Sequence, residues 1–135
     1  MNFKQILLPK IFDNRGNLSF LESKNQIPFE IKRTYWIYDV PGGEIRGGHA
    51  FYNQNEFIIC ISGSLDIVLF DGIIESRFTL NRSNEGLFIS KGTWRHMENF
   101  STNSVVLVVS DTLFDNSDYI RSKKEFLSYV EKKQN

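Results

Sequence analysis

Turn signals recur every few residues along this 135-residue chain, and they limit how long any one element can be. Asp13-Asn14-Arg15-Gly16-Asn17, Pro41-Gly42-Gly43, Tyr52-Asn53-Gln54-Asn55, Asp71-Gly72, Lys91-Gly92 and Ser101-Thr102-Asn103 combine residues that bond their own backbone or tolerate positive φ. The runs between them are rich in β-branched and aromatic residues, which favours sheet. They predict strands at Phe3–Phe12 (an edge, broken by Pro9), Leu18–Glu22, Phe29–Val40, Ile45–Phe51, Glu56–Ser62, Ser64–Phe70, Ile73–Leu80, Gly86–Ser90, Thr93–Phe100 and Ser104–Ser110. The last is continuously apolar and is expected inside a sheet, covered on both faces. In the third, alternation puts Phe29, Ile31, Arg33, Tyr35, Ile37 and Asp39 on one face; Arg33 there is either an inner-face residue or a rim residue. One helix is predicted over about 118–132, capped by Ser117 or Asp118, with Tyr119/Ile120, Phe126/Leu127 and Val130 at helical spacing. Many short strands and one late helix make an all-β chain, a sandwich or barrel in a single domain spanning 1–135.

Charge and cysteine usage narrow the function. Lys+Arg and Asp+Glu are both 16, so the net charge is zero and nothing points to a nucleic-acid groove or a membrane-binding patch. Cys60 is the only cysteine, which excludes a disulfide framework and suits a reducing, cytoplasmic setting. The first residues lack the basic-then-apolar pattern of a secretory leader, and no apolar run approaches the ~20 residues of a membrane span.

Arg46-Gly47-Gly48-His49-Ala50-Phe51 is the stretch with chemistry in it. A histidine on a stiff strand beside a guanidinium is what proton transfer on an anionic ligand needs. A lone strand histidine also has a plainer reading, as a packed or solvated residue.

From His49 to Gly63 the chain resembles the first motif of the cupin superfamily: His49, then Phe51 where a second histidine is usual, Glu56, and Gly63. Cupin metal sites generally use three histidines and a glutamate; with two histidines in all, this chain is expected to hold no metal. A closer resemblance spans about 110 residues. Asp13-x-Arg15-Gly16-x-Leu18, Pro28-Phe29-x-Ile31-Lys32-Arg33-x-Tyr35, Arg46-Gly47-x-His49-Ala50, Gly63-Ser64, Gly86-Leu87, Trp94 and Asp118-Tyr119-Ile120-Arg121 are similar, in order and spacing, to the WxcM-like sugar 3,4-ketoisomerases. The resemblance implies a cupin-type jelly-roll barrel with a C-terminal helix. It also implies a homodimer that exchanges N-terminal strands, no metal or other cofactor, and a dTDP-4-keto-6-deoxyhexose as ligand. The implied reaction moves the ketone from C-4 to C-3, toward 3-amino-3,6-dideoxy sugars of surface polysaccharides.

Such a shift needs a base near neutral pKa and a donor for the enolate oxygen. His49 is the expected base and Tyr35 the expected donor or proton relay. Arg33 and Arg46 suit the diphosphate, with Arg15 a further candidate. Arg15 and Arg95 are expected at the pocket wall, where they bear on the face of reprotonation at C-4. Trp94 either stacks on the ligand or is a core aromatic. Glu56 either orients His49 or simply lies in the barrel. Phe51 leaves three readings open: His49 suffices with Tyr35 or a water, His96 reaches the pocket, or the activity is slow, altered or absent. The alternatives to an isomerase are therefore a nucleotide-sugar epimerase and a non-catalytic nucleotide-sugar binder.

Overall fold

The computed structural model describes residues 2–135. Twelve strands form in chain order: β1 (Phe3–Leu7), β2 (Lys10–Ile11), β3 (Leu18–Ser19), β4 (Arg33–Ile37), β5 (Arg46–Phe51), β6 (Glu56–Ser62), β7 (Leu65–Phe70), β8 (Glu75–Leu80), β9 (Glu85–Ile89), β10 (Trp94–Glu98), β11 (Val105–Ser110) and β12 (Tyr119–Ile120). One helix, α1 (Lys123–Gln134), follows. Two five-stranded sheets, ordered β1-β9-β6-β11-β4 and β12-β5-β10-β7-β8, face each other, and every pairing is antiparallel. Neighbours in each sheet mostly come from distant parts of the sequence, which is the jelly-roll arrangement expected from the resemblance. The short β2–β3 hairpin stands apart.

The two inner faces share one core: Ile58, Cys60, Leu87, Val106 and Val108 meet Leu65, Ile67, Leu69, Leu80 and Met97. Strand β11 lies between β6 and β4, with Val106 and Val108 inside while Leu107 and Val109 join the outer layer. Both faces are covered, as its unbroken apolar run predicts.

Three expectations need correction. The strand predicted over Phe29–Val40 is confined to Arg33–Ile37. Phe29 and Ile31 pack outside the sheet, against Phe57, Ile59 and Val109, whereas Tyr35 and Ile37 pack inside. The chain thus changes role at Lys32, from covering a sheet to joining it, and Asp39 at φ 57 ends the strand. The strand at Leu18 lasts only two residues. The helix begins five residues later than predicted. Tyr119 and Ile120 pair instead with Phe51 and Ala50, and Ser122 caps α1 by accepting from the Glu125 N–H at 3.0 Å. Asp118 stays outside the helix because its carboxylate holds the Tyr52–Asn55 turn, accepting from the N–H groups of Asn53 and Gln54 at 2.8 and 3.1 Å.

Candidate active site in the barrel

Strand β5 carries the site because it is bulged. Arg95 pairs with His49 and Met97 with Arg46, so between these pairs one residue of β10, His96, opposes two of β5, Gly47 and Gly48. Simple alternation would send Arg46 and His49 to opposite faces; the extra residue turns both toward the side of Arg95 and Met97. Gly47 makes this possible. Its φ is +71, and a Cβ there would collide with the Arg95 Nη1, which donates to the Gly47 carbonyl at 3.0 Å.

The result is a cavity of about 410 Å³, lined among others by Tyr35, Arg46, His49, Arg95, Tyr119 and Arg121. His49 is held edge-on between Phe51 and Tyr119, with ring centroids at 4.8 and 5.0 Å. Its Nδ1 has no hydrogen-bond partner among the described residues. Burial, then the guanidinium charges of Arg95 and Arg121, push the imidazole down to about 2, so the ring is neutral.

Behind the cavity lies a polar network. Arg95 donates from Nε to Glu56 Oε1 at 2.7 Å and from Nη2 to Oε2 at 3.2 Å, and both side chains are buried. This is the bidentate fork that guanidinium and carboxylate geometry allows. Tyr35 bridges the pair, donating to Glu56 Oε2 and accepting from Arg95 Nη2, each at 3.4 Å. Burial, with the Glu56 charge next, pushes the Tyr35 phenol well above its ordinary range; it remains a donor at any physiological pH. Burial opposes the charge on Arg95, but the Glu56 carboxylate together with the Tyr35 and Tyr119 phenols outweighs it, and the guanidinium is held more firmly protonated than usual. Gln54 extends the network, donating to Glu56 at 3.3 Å and accepting from Arg33 at 3.2 Å and Thr112 at 2.8 Å.

Of the residues singled out from sequence, His49, Tyr35, Arg46 and Arg95 meet at one cavity. Glu56 does not orient His49: it is committed to Arg95 and Tyr35. Arg33 sits one layer back, between the Tyr35 and Phe114 rings at 4.8 and 5.4 Å. Trp94 is on the other face of β10 from Arg95, packed on Phe126 beneath α1, so it is the core aromatic and not a stacking platform in this cavity. His96 shares that outer face, 3.6 Å from Glu98, and does not reach the pocket. Arg15 is exposed on the β2–β3 arm, paired with Asp13 at 2.8 Å, and lines no part of the cavity within its own chain. Residue type and helical spacing do not single out Tyr119 and Arg121, since the predicted helix runs across both; the Arg121 guanidinium stacks on the Tyr119 ring at 4.1 Å. Among the described residues, no group of three His, Cys, Asp or Glu side chains could hold a metal ion.

The profile of the WxcM-like, C-terminal family (FdtA) matches residues 1–131. The chain belongs to the WxcM-like family. A curated relative, the TDP-4-oxo-6-deoxy-alpha-D-glucose-3,4-oxoisomerase of Aneurinibacillus thermoaerophilus, is 38% identical over 132 residues, 98% of this chain and 95% of its own. A WxcM-like fold also aligns this chain with solved structures. A 3,4-ketoisomerase from Helicobacter canadensis superposes with a TM-score of 0.95 at 43% identity, covering 97% of this chain and 98% of that one. QdtA, a sugar 3,4-ketoisomerase from Thermoanaerobacterium thermosaccharolyticum in complex with TDP, superposes with a TM-score of 0.95 at 34% identity, covering 98% and 96%.

Proposed function

We propose that the protein is a TDP-sugar 3,4-ketoisomerase, which converts a TDP-4-keto-6-deoxyhexose into the 3-keto sugar. The carrying observation is the cavity in a WxcM-like barrel where His49 and Arg46, both on the bulged strand β5, meet Tyr35 from β4. The relatives named for this reaction match along nearly their whole length, which favours it over an epimerase or a mere binder.

The chemistry divides among these residues. The neutral His49 imidazole takes the C-3 proton, the C–H electron pair becomes the C3=C4 bond, and the C-4 oxygen takes a proton. Tyr35, whose phenol stays protonated, serves that oxygen by turning its hydroxyl away from Glu56. In the second half the C-3 oxygen gives up its proton, the ketone forms at C-3, and C-4 is protonated. One carbon is oxidised as its neighbour is reduced, so atoms and electrons balance within the sugar. Arg46 stands at the cavity wall for the diphosphate; Arg33 joins it only by leaving Gln54. Arg15 contributes only across a dimer. Each subunit is one domain working in the cytoplasm, where nucleotide sugars are made, and its product is set up for amination at C-3.

The test is incubation with TDP-4-keto-6-deoxyglucose in deuterated water, followed by proton NMR. Deuterium at C-3 or C-4 together with a 3-keto product is the expected result. Exchange with the ketone retained at C-4 would instead make the protein an epimerase, and binding without exchange would make it a binder. His49→Asn should lower kcat by about 10²–10⁴-fold with the fold intact.

A further inference from the structure

The cavity contains a base that the resting protein keeps from working. Every element around His49 adds to this. Strand β10 brings the guanidinium of Arg95, and the residue after β12 brings that of Arg121. Strand β5 adds Arg46 beyond the bulge and the apolar Phe51 ring; β4 and β12 bring the phenols of Tyr35 and Tyr119. Behind the cavity the Glu56 carboxylate on β6 is taken up by Arg95 and Tyr35. Among the described residues neither Arg46 nor Arg121 forms an ion pair; Arg121 donates only to the Asn116 side-chain carbonyl at 2.9 Å. A proton on His49 would therefore add a cation to a wall already short of negative charge. Burial and the two guanidiniums hold the ring near 2. A base that weak has about 10⁴-fold less proton affinity than ordinary imidazole.

The ligand of a ketoisomerase carries the missing charge. We propose that the diphosphate of the bound nucleotide sugar switches His49 on: by neutralising Arg121 and Arg46 at the cavity wall, it turns a silent imidazole into a working base. This rests on the ketoisomerase reading and adds a control to it. Catalysis is then tied to recognition of the nucleotide, because the part of the substrate that never reacts prepares the group that does. A 4-keto sugar without its diphosphate would lose kcat and not only affinity. The protein would also be protected from enolising other small ketones that enter the barrel.

The chain has two histidines, so the experiment is direct. Protein labelled with ¹³C-histidine is titrated by NMR from about pH 4 to about pH 9 in three states: free, saturated with TDP, and saturated with thymidine, which lacks the charge. His96→Gln assigns the signals; His96 lies on the outer face, so turnover of this variant should match the parent. The free protein should show a His49 signal that stays flat to the acid limit of the fold. With TDP the midpoint should rise into the titrated range, a gain of a hundredfold or more in proton affinity, while thymidine leaves the signal flat. Arg121→Gln should raise the midpoint in the free protein and shrink the TDP step. A TDP-saturated protein, shown so by calorimetry, whose His49 signal does not move would overturn the proposal while leaving the ketoisomerase intact. A His49 signal that moves without any 3-keto product forming would sink the ketoisomerase reading alone. Failure to bind TDP would overturn both.

Discussion

At the scale of single residues, the structure separates what chemistry asks for from what holds it in place. His49, Tyr35 and Arg46 were legible because their residue types fit the reaction and their spacing fits the family. The commitment of Glu56 to Arg95 was not, since it spans 39 positions and depends on a strand register that local pattern does not reveal. That pair yields a sharp prediction. Glu56→Ala leaves a buried guanidinium uncompensated and should destabilise the fold by about 3–5 kcal/mol, whereas Glu56→Gln, which keeps the shape and one acceptor, should lose clearly less. Urea unfolding of the two variants compares them, and equal losses would mean that Arg95 finds another partner. His49 adds a pH dependence. Its folded pKa lies below the unfolded value near 6.5, so below that pH the unfolded chain binds a proton that the folded one refuses. This stability is complete above about pH 6.5 and falls by at most about 1.4 kcal/mol per pH unit beneath it. The difference in urea midpoint between pH 7 and pH 5 should shrink in His49→Asn, and an unchanged difference would show that the ring is protonated in the fold.

Among elements, those with their own punctuation are legible in the sequence. Glu56–Ser62 has the predicted ends, and Asp71 closes the β7–β8 hairpin by accepting from the N–H groups of Ile73 and Ile74, both at 2.8 Å. Errors fell where a pattern ran on through a change of partner. Alternation from Phe29 to Asp39 persists while the chain passes from outer layer to sheet, and Tyr119/Ile120 fit a helical stripe as well as a strand pair. The signal that would have placed α1 was present: Ser122 and Glu125 form the Ser-x-x-Glu of a capping box. Ser122→Ala should cost about 1 kcal/mol and speed amide exchange along α1, while the β6 amides stay protected. The bulge of β5 is the element that function depends on most. Gly47→Ala forces an L-residue to φ +71, which costs about 1–2 kcal/mol, and pushes Arg95 off the Gly47 carbonyl. Activity should drop tenfold or more, roughly 1.4 kcal/mol or greater in the barrier, at a substrate concentration that saturates the enzyme. A variant with parental kcat would mean that the bulge does not set the positions of His49 and Arg46.

On the scale of the whole molecule, the unfinished part is the N-terminal arm. Strand β1 is the open edge of its sheet, and a groove along it is lined by Phe3, Gln5, Leu7, Ile27, Pro28 and Phe88. From its last residue onward, Leu7 and Phe12 are 69% and 75% exposed, and Ile11 and Leu18 are exposed beside them. An unprotected edge strand followed by four exposed apolar side chains is what a free monomer avoids and a partner covers. The β2–β3 hairpin also carries Arg15, which has no route to the cavity of its own chain. A second copy, docked so that the arms cross, would cover the apolar side chains and give each Arg15 a neighbouring cavity to enter. Light scattering should therefore return twice the chain mass, and Phe12→Glu with Leu18→Glu should return the mass of one chain with activity reduced. Mixing an inactive His49→Asn chain with an Arg15→Ala chain then asks where Arg15 acts. If it serves the partner, a mixed dimer pairs one intact His49 with one intact Arg15 and recovers activity that neither parent has. If it serves its own chain, no mixture recovers any, and a single-chain mass with full turnover would remove the dimer from the account altogether.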